Sequence, residues 1–264
     1  MNAKLFPCGL ILAASLALSA SIAGAGDSND GFNAGRDHGH DRKSDEAIQL
    51  GPRPFYLVQG MDSGKLKDKL LSCQNGPFRR TDFSIGHRGA ALEFPEHTKE
   101  AYQAGARMGA GIVECDVTFT KDGELVCRHD ECDLATTTNI VTTPLNSACT
   151  TPWSGAGSAP KCCTSDLTLA QFRTLRGKMD ASTPSATTAE GFLRGTASWR
   201  TDLYTGRGTL MTLRESIALN RMLGVKHTPE LKAGNAERIA QVFGGQNQYA
   251  QAMIDEFKRA GVDP

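Results

Sequence analysis

Short runs rich in β-branched residues alternate with helical segments, and charged residues lie at or just after the end of each run. Residues 83–86, 112–119 and 225–231 have the composition of strands. Residues 98–108 between the first two have an N-capping threonine and apolar residues spaced for one buried helix face. Strands that alternate with helices indicate parallel βα units, so the pattern predicts an α/β chain.

Caps and turn residues predict the remaining elements. Lys121-Asp122-Gly123 is typical of a tight turn, and Thr212 with Glu215 has the spacing of a capping box. Structure is expected to begin near Pro54. The further predicted elements are helices at 65–72, 169–175, 212–223 and 246–260, and a short strand at 124–128.

The N-terminal segment predicts export. Lys4, an apolar run and Ala23-Gly24-Ala25 have the order of a secretory signal peptide over residues 1–25. A membrane anchor is the alternative, but the apolar run is short for a span. Residues 26–53 are polar and Gly-rich, which predicts a disordered lead-in. A periplasmic or extracellular location follows, with no membrane anchor once the signal is removed.

The cysteines fit an exported protein. The chain has eight, and removal of the signal would take Cys8 and leave seven. An odd number leaves at least one unpaired within the chain, and the alternation of its strand makes Cys115 the candidate for the free thiol. Residues 131–210 form a long insertion rich in Thr, Ser, Pro and Gly, and its four cysteines can form disulfides that stabilise it.

Two carboxylates on one strand form the sharpest candidate site. Glu114 and Asp116 are two residues apart, so both side chains project from the same face of the strand at 112–119. Such a pair repels itself unless a cation lies nearby, and oxygen ligands favour Mg²⁺ or Ca²⁺. Arg or Lys partners for these carboxylates remain an alternative. Glu230 and Lys232 repeat the two-residue spacing at the end of the strand at 225–231.

Two histidines follow strands in the same way. His87 precedes Arg88, and His129 comes after the short strand at 124–128. A histidine pair can share proton transfer, one residue as base and the other as acid, while an arginine can hold phosphate oxygens. A single histidine at a strand end is more often structural. Two of them near a carboxylate pair favour catalysis, at the carboxyl ends of strands where barrel enzymes keep their sites.

The balanced charge of the chain, with 29 basic and 29 acidic residues, argues against a nucleic-acid binder.

The order of these groups resembles the glycerophosphodiester phosphodiesterases, which are phospholipase-C-like phosphodiesterases with a TIM-barrel fold. The family usually has Asn where this chain has His97. The motifs that carry the resemblance are His87-Arg88-Gly89, Pro95-Glu96, Glu114-Cys115-Asp116-Val117, Thr120-Lys121-Asp122-Gly123, His129-Asp130 and Glu230-Leu231-Lys232.

The resemblance implies a role for each matched residue. His87 and His129 would be the general acid/base pair, and Glu96 would line the site. The metal ligands would be Glu114, Asp116 and Glu230, which would hold Ca²⁺ or Mg²⁺. Arg88 and Lys232 would bind the phosphate.

The resemblance also implies a fold and a reaction. A (β/α)8 TIM barrel needs eight strands, and about three are recognisable here, so residues 54–264 are expected to be the N-terminal part of the domain, incomplete at its C-terminus. The reaction would release sn-glycerol 3-phosphate and an alcohol from a small-molecule glycerophosphodiester. The alternatives are a phospholipase-C- or D-like enzyme that acts on lipid, and an inactive binding protein on the same fold.

Overall fold

A computed structural model describes residues 48–201 and 206–262. The predicted signal peptide and residues 26–47 of the predicted lead-in lie outside this part of the chain. None of the described helices is both long enough and apolar enough to cross a membrane.

The described chain contains four strands in one sheet, with helices before, between and after them in the sequence. The strands are β1 (Thr81–Gly86), β2 (Ala110–Phe119), β3 (Leu125–Cys127) and β4 (Lys226–Leu231). The helices are α1 (Arg53–Gln59), α2 (Lys65–Leu71), α3 (Lys99–Arg107), α4 (Leu134–Thr137), α5 (Leu169–Phe172), α6 (Ala189–Phe192), α7 (Leu213–Met222), α8 (Ala236–Phe243) and α9 (Gln246–Arg259).

Strand β2 is the centre of the sheet. It pairs in parallel with both β1 and β4, and antiparallel with β3 near its carboxyl end. Two registers matter for the site, because Gly86 lies opposite Val113 and Asp116 lies opposite Glu230. Three parallel strands connected through helices confirm the predicted α/β chain with about three barrel strands.

Helix α3 follows β1 closely and packs on β2. The Thr98 side chain accepts a hydrogen bond from the amide of Ala101, which is the predicted cap. Gly89 lies against the first turn of the helix, and a Cβ built on it would fall 2.6 Å from the carbonyl carbon of Ala101. Its φ of 84° also favours glycine. A glycine therefore allows the chain after His87 to approach the helix.

Helices α7, α8 and α9 complete the main core. The predicted capping box of α7 is present, since Thr212 and Glu215 bond each other's backbone amides. Phe119 at the end of β2 packs edge-on against Phe243 of α8 and Tyr249 of α9, with ring centroids 5.3 and 5.2 Å away. These aromatic contacts fix the carboxyl end of β2 within the core.

The insertion at 131–210 has a hydrophobic core of its own. Its buried side chains include Leu134, Ile140, Phe172 and Phe192, a cluster separate from the main core. Disulfides join Cys132 to Cys163 and Cys149 to Cys162, as the cysteine content predicted. Three short 3₁₀ turns, Ile140–Thr142, Pro144–Ala148 and Thr164–Asp166, supply much of its regular structure.

Several local predictions were wrong. Cys115 is not a free thiol, because β3 returns beside β2 and brings Cys127 into disulfide distance. Within the described residues, the cysteine without a disulfide is the exposed Cys73. Helix α8 was not predicted, and the helix predicted at 169–175 ends at Phe172.

Candidate active site

The predicted site residues meet at the carboxyl ends of the parallel strands. His87 and Arg88 follow β1, Glu114 and Asp116 lie on β2, and Glu230 lies on β4. Parallel strands place their carboxyl ends at one edge of a sheet, so residues far apart in sequence converge there. The register that pairs Asp116 with Glu230 sets two of the carboxylates on adjacent strands.

Asp116 is the most buried carboxylate of the group, with 1% of its side chain exposed. Its Oδ2 lies 2.8 Å from Nε2 of His97, and its Oδ1 lies 3.7 Å from Nζ of Lys232. Burial alone would raise the pKa of Asp116, but the hydrogen bond with His97 and the nearby charges hold this pKa below its usual range. Asp116 is therefore ionised at neutral pH.

Glu114 has the opposite shift. Burial and the negative charge of Asp116 raise the pKa of Glu114, against the hydrogen bond that its Oε2 accepts from the amide of Arg88 at 2.7 Å. Glu230 adds to the increase. The negative charges of two neighbouring carboxylates thus raise the proton affinity of Glu114, and a cation beside it would relieve this repulsion.

Arg88 occupies a backbone conformation that non-glycine residues rarely adopt, with φ of 58°. This conformation directs its amide to Glu114 and its guanidinium to Glu96, where Nη1 lies 2.7 Å from Oε2. Glu96 is buried, and its other oxygen lies 3.5 Å from Nη2 of Arg128. Glu96 thus lies between the guanidinium groups of Arg88 and Arg128, and it orients the guanidinium of Arg88 towards the site.

Lys232 and Glu230 form an ion pair at the open side of the site. Nζ of Lys232 lies 2.8 Å from Oε1 of Glu230, whose side chain is 57% exposed. The amide of Lys232 donates to the carbonyl of Val117, which continues the β4–β2 pairing beyond the strand. The lysine ammonium is thereby held between the carboxylates of two strands.

The two histidines differ in exposure. The side chain of His87 is 69% exposed, and its Nε2 lies 3.7 Å from Oε2 of Glu114. His129 is half-buried, and its charge contributes to the lowered pKa of Asp116. Each therefore lies within electrostatic reach of one carboxylate of β2.

The donor set fits a hard divalent cation. Oδ1 of Asp116 is buried and has no hydrogen-bond partner within the described part of the chain, which is an unfavourable state for a carboxylate oxygen unless a cation binds there. His97, Glu114 and Asp116 each offer one ligand atom, and these atoms lie within 4.8 Å of one another. Both ring nitrogens of His97 already lie within hydrogen-bond distance of Asp116 and Tyr102, so carboxylate oxygens are the donors that remain available.

Sequence reasoning missed three residues that support the site. In the sequence, His97 stands out only as a departure from the usual asparagine, and Tyr102 is one position in the predicted helix at 98–108. Arg128 precedes His129 in sequence and is the largest fully buried side chain. Adjacency to a candidate residue was the one available signal for Arg128, whereas the contacts of Tyr102 depend on the path of the chain.

Comparison with known proteins identifies the same region. A model of the glycerophosphoryl diester phosphodiesterase family matches residues 87–263, about two thirds of the chain. A protein of Arthroderma benhamiae described as an extracellular protein is 40% identical over 87 residues, which are 33% of this chain and 36% of that protein.

Two further relatives carry phosphodiesterase names. A probable glycerophosphodiester phosphodiesterase 1 of Mycobacterium tuberculosis is 54% identical over 48 residues, 18% of this chain and 18% of that protein. The chain thus spans about a third or less of the length of the Arthroderma and Mycobacterium proteins. A phosphodiesterase of Oleispira antarctica, solved with sn-glycerol-3-phosphate, is similar with a TM-score of 0.41 at 21% identity, covering 66% of this chain and 51% of that one.

Proposed function

Because this chain belongs to the glycerophosphoryl diester phosphodiesterase family, we propose that it hydrolyses glycerophosphodiesters to sn-glycerol 3-phosphate and an alcohol such as choline or ethanolamine. The observation that carries the proposal is the group around β2. The buried Oδ1 of Asp116 has no hydrogen-bond partner among the described residues, and it lies 3.7 Å from Nζ of Lys232. A phosphodiester with a divalent cation would place complementary charge in this arrangement.

Glu114, Asp116 and Glu230 would hold the divalent cation, Ca²⁺ or Mg²⁺. All three are oxygen ligands on adjacent strands, and the register of β2 with β4 supports their convergence. When bound, the cation supplies positive charge that stabilises the transition state at phosphorus and lowers the pKa of an attacking hydroxyl.

Arg88 and Lys232 would bind the phosphate oxygens. The side chain of Arg88 is 22% exposed and that of Lys232 is 18% exposed, so each can reach a ligand while its stem is buried. Glu96 holds the guanidinium of Arg88 in a fixed direction, which limits the entropy lost when a phosphate binds. An arginine can present two parallel donors to phosphate, and a lysine adds a point charge.

His87 and His129 would transfer the protons. One imidazole takes a proton from the attacking oxygen, and the other gives a proton to the oxygen of the departing alcohol. In the direct route the attacking oxygen belongs to water. In the alternative route the glycerol 2-hydroxyl attacks first, the alcohol departs, and water then opens the cyclic phosphate. Both routes consume one water and break one P–O bond to the alcohol.

The proposal is tested by the release of glycerol 3-phosphate from glycerophosphocholine in the presence of Ca²⁺ or Mg²⁺. Glu114→Gln and His87→Ala should each lower kcat/KM by at least a hundredfold. The matched control is Asp82→Asn on β1, which removes an exposed carboxylate paired with Lys226 at the amino end of the same sheet. Full activity in Glu114→Gln would refute the site assignment, and ³¹P NMR would detect a cyclic intermediate.

We also propose that the protein acts outside the cytoplasm. Three disulfides are present in the described chain, and such bonds persist in oxidising compartments. The predicted signal peptide and the similarity to a protein described as extracellular support the same location. The test is recovery of the mature chain from the periplasm or medium, with its N-terminus determined after export.

A further inference from the structure

A chain of three polar groups lies behind the site. The hydroxyl of Tyr102 lies 3.1 Å from Nδ1 of His97, and Nε2 of His97 lies 2.8 Å from Oδ2 of Asp116. Tyr102 and His97 are both fully buried. Neither side chain can therefore exchange these contacts for water, so each hydrogen bond must be made within the protein.

The charge on Asp116 determines the direction of both hydrogen bonds. A carboxylate oxygen can only accept, so Nε2 of His97 must carry the proton that faces it. In a neutral imidazole the other nitrogen is then an acceptor, which requires the Tyr102 hydroxyl to donate to Nδ1. Burial and the surrounding carboxylates raise the pKa of Tyr102 well above its ordinary value, so the hydroxyl retains its proton.

The backbone fixes the position of the His97 imidazole. His97 has φ of 53°, and its amide donates to the carbonyl of Arg88 at 3.1 Å. The rings of His97 and Tyr102 meet edge-on, 6.3 Å apart at 74°. A residue held in the left-handed region by its neighbours often marks a functional requirement. Here that conformation places the imidazole between helix α3 and strand β2.

We propose that Tyr102 and His97 act as a positioning relay, which rests on the proposed function: they hold Asp116 so that Oδ2 is bound and Oδ1 faces the cation. Rotation of the carboxylate would break the bond with His97, so the relay restricts Asp116 to one orientation. The relay also assigns His97 as a support of a ligand, since neither of its nitrogens has a free lone pair for the metal.

The test is the affinity of the purified chain for Ca²⁺ and Mn²⁺, measured by calorimetry without substrate. Tyr102→Phe removes the donor to Nδ1 and should weaken cation binding about tenfold, the usual effect of losing a supporting partner. His97→Gln can still present a side-chain amide to Asp116, so it should retain more affinity than His97→Leu.

Tyr249→Phe is the matched control. Tyr249 is another fully buried tyrosine, and its hydroxyl donates to β2, at the carbonyl of Val117, 2.7 Å away. It makes no bond to Asp116, so its loss should lower stability while the cation affinity stays within twofold. Thermal unfolding of each variant without cation separates a general loss of stability from a loss of positioning.

Two spectroscopic readouts complete the test. The ¹⁵N shifts of the His97 ring should show the Nε2–H tautomer in the wild type, and Mn²⁺ should show no ¹⁴N coupling from a histidine ligand. Unchanged cation affinity in Tyr102→Phe, or a directly coordinated His97 nitrogen, would overturn the relay while the proposed function stands. A wild-type chain that binds no divalent cation would overturn both.

Discussion

The carboxylate of Glu96 accepts a hydrogen bond from the guanidinium of Arg88, with 2.7 Å between Oε2 and Nη1. The positive charges of Arg128 and Arg88 hold the pKa of Glu96 below its ordinary value despite its burial, which alone would raise that pKa. Glu96 therefore remains charged, and among the described residues it is the only carboxylate within 3 Å of the guanidinium of Arg88.

Glu96→Gln should separate substrate binding from turnover. The loss of charge frees Arg88 from its fixed direction, so KM for glycerophosphocholine should rise about tenfold, the equivalent of one charge-assisted hydrogen bond. It also removes one of the two carboxylates beside the buried guanidinium of Arg128, the other being Asp133 at 3.6 Å, so the free energy of unfolding should fall by about 3 kcal/mol, the lower end of the range for a broken buried ion pair. Steady-state kinetics and urea unfolding measure the two effects. An unchanged KM in the folded variant would contradict the role of Glu96.

The burial of His227 should make the folded protein less stable in acid. Burial lowers the pKa of His227 to about 4 from its ordinary value of 6.5, and its Nε2 lies 3.1 Å from Oγ of Ser216. Between these two pH values the unfolded chain binds more protons than the folded one, so stability falls as the pH falls from 6.5 towards 4.

His227→Gln should make the chain less sensitive to acid. The wild type should lose up to about 3 kcal/mol more than the variant over this range, because glutamine does not titrate. Urea unfolding at several pH values measures the difference. Parallel curves for the two proteins would show that His227 is already protonated or exposed.

The disulfide between Cys115 and Cys127 joins β2 to β3 beside the site. Both residues are fully buried, and they are 12 residues apart in sequence. Replacement of both by alanine should lower the free energy of unfolding by about 3 kcal/mol, which is typical for a bridge of this loop length. Cys73→Ser is the control, since Cys73 is exposed and unpaired. Equal stability of the two variants would exclude a stabilising role for this bridge.

The buried side chain of Lys178 stabilises the insertion through hydrogen bonds to its backbone. Its Nζ donates to the carbonyls of Thr136, Met179 and Ala181 at 2.6 to 2.7 Å. Lys178→Met would leave three carbonyls without this donor, so we expect a loss of about 2–3 kcal/mol. Lys161→Met at an exposed position of the same insertion should change stability by less than about 0.5 kcal/mol. Equal losses would contradict the assignment.

The sheet could be predicted from the sequence because its signals are local. The β-branched run of β2, the Thr98 cap and the Thr212–Glu215 capping box are each contained within a dozen residues, and all three are present. The core of the insertion could not be predicted in this way. It depends on contacts between short segments, such as Trp153 with Phe192, that no periodic pattern marks.

The same distinction applies to the site, where local patterns predict some residues and contacts between distant segments determine the others. Alternation along one strand placed Glu114 and Asp116 on the same face, and both lie there within reach of His97. The same alternation suggested that Cys115 was free, since it gives the face of a residue but not its neighbour. The pairing of Cys115 with Cys127 depends on how β3 returns beside β2. The hydrogen bond from Tyr102 to His97 depends on where α3 packs.

The register that sets Asp116 opposite Glu230 also determines when the site can form during folding. The two residues are separated by roughly a hundred positions, so their pairing requires the closure of a long loop after local helices have formed. A cation that needs both carboxylates cannot bind before that step. Binding of the proposed cation would therefore report the β2–β4 contact, and by mass action it would favour only chains that have formed this contact.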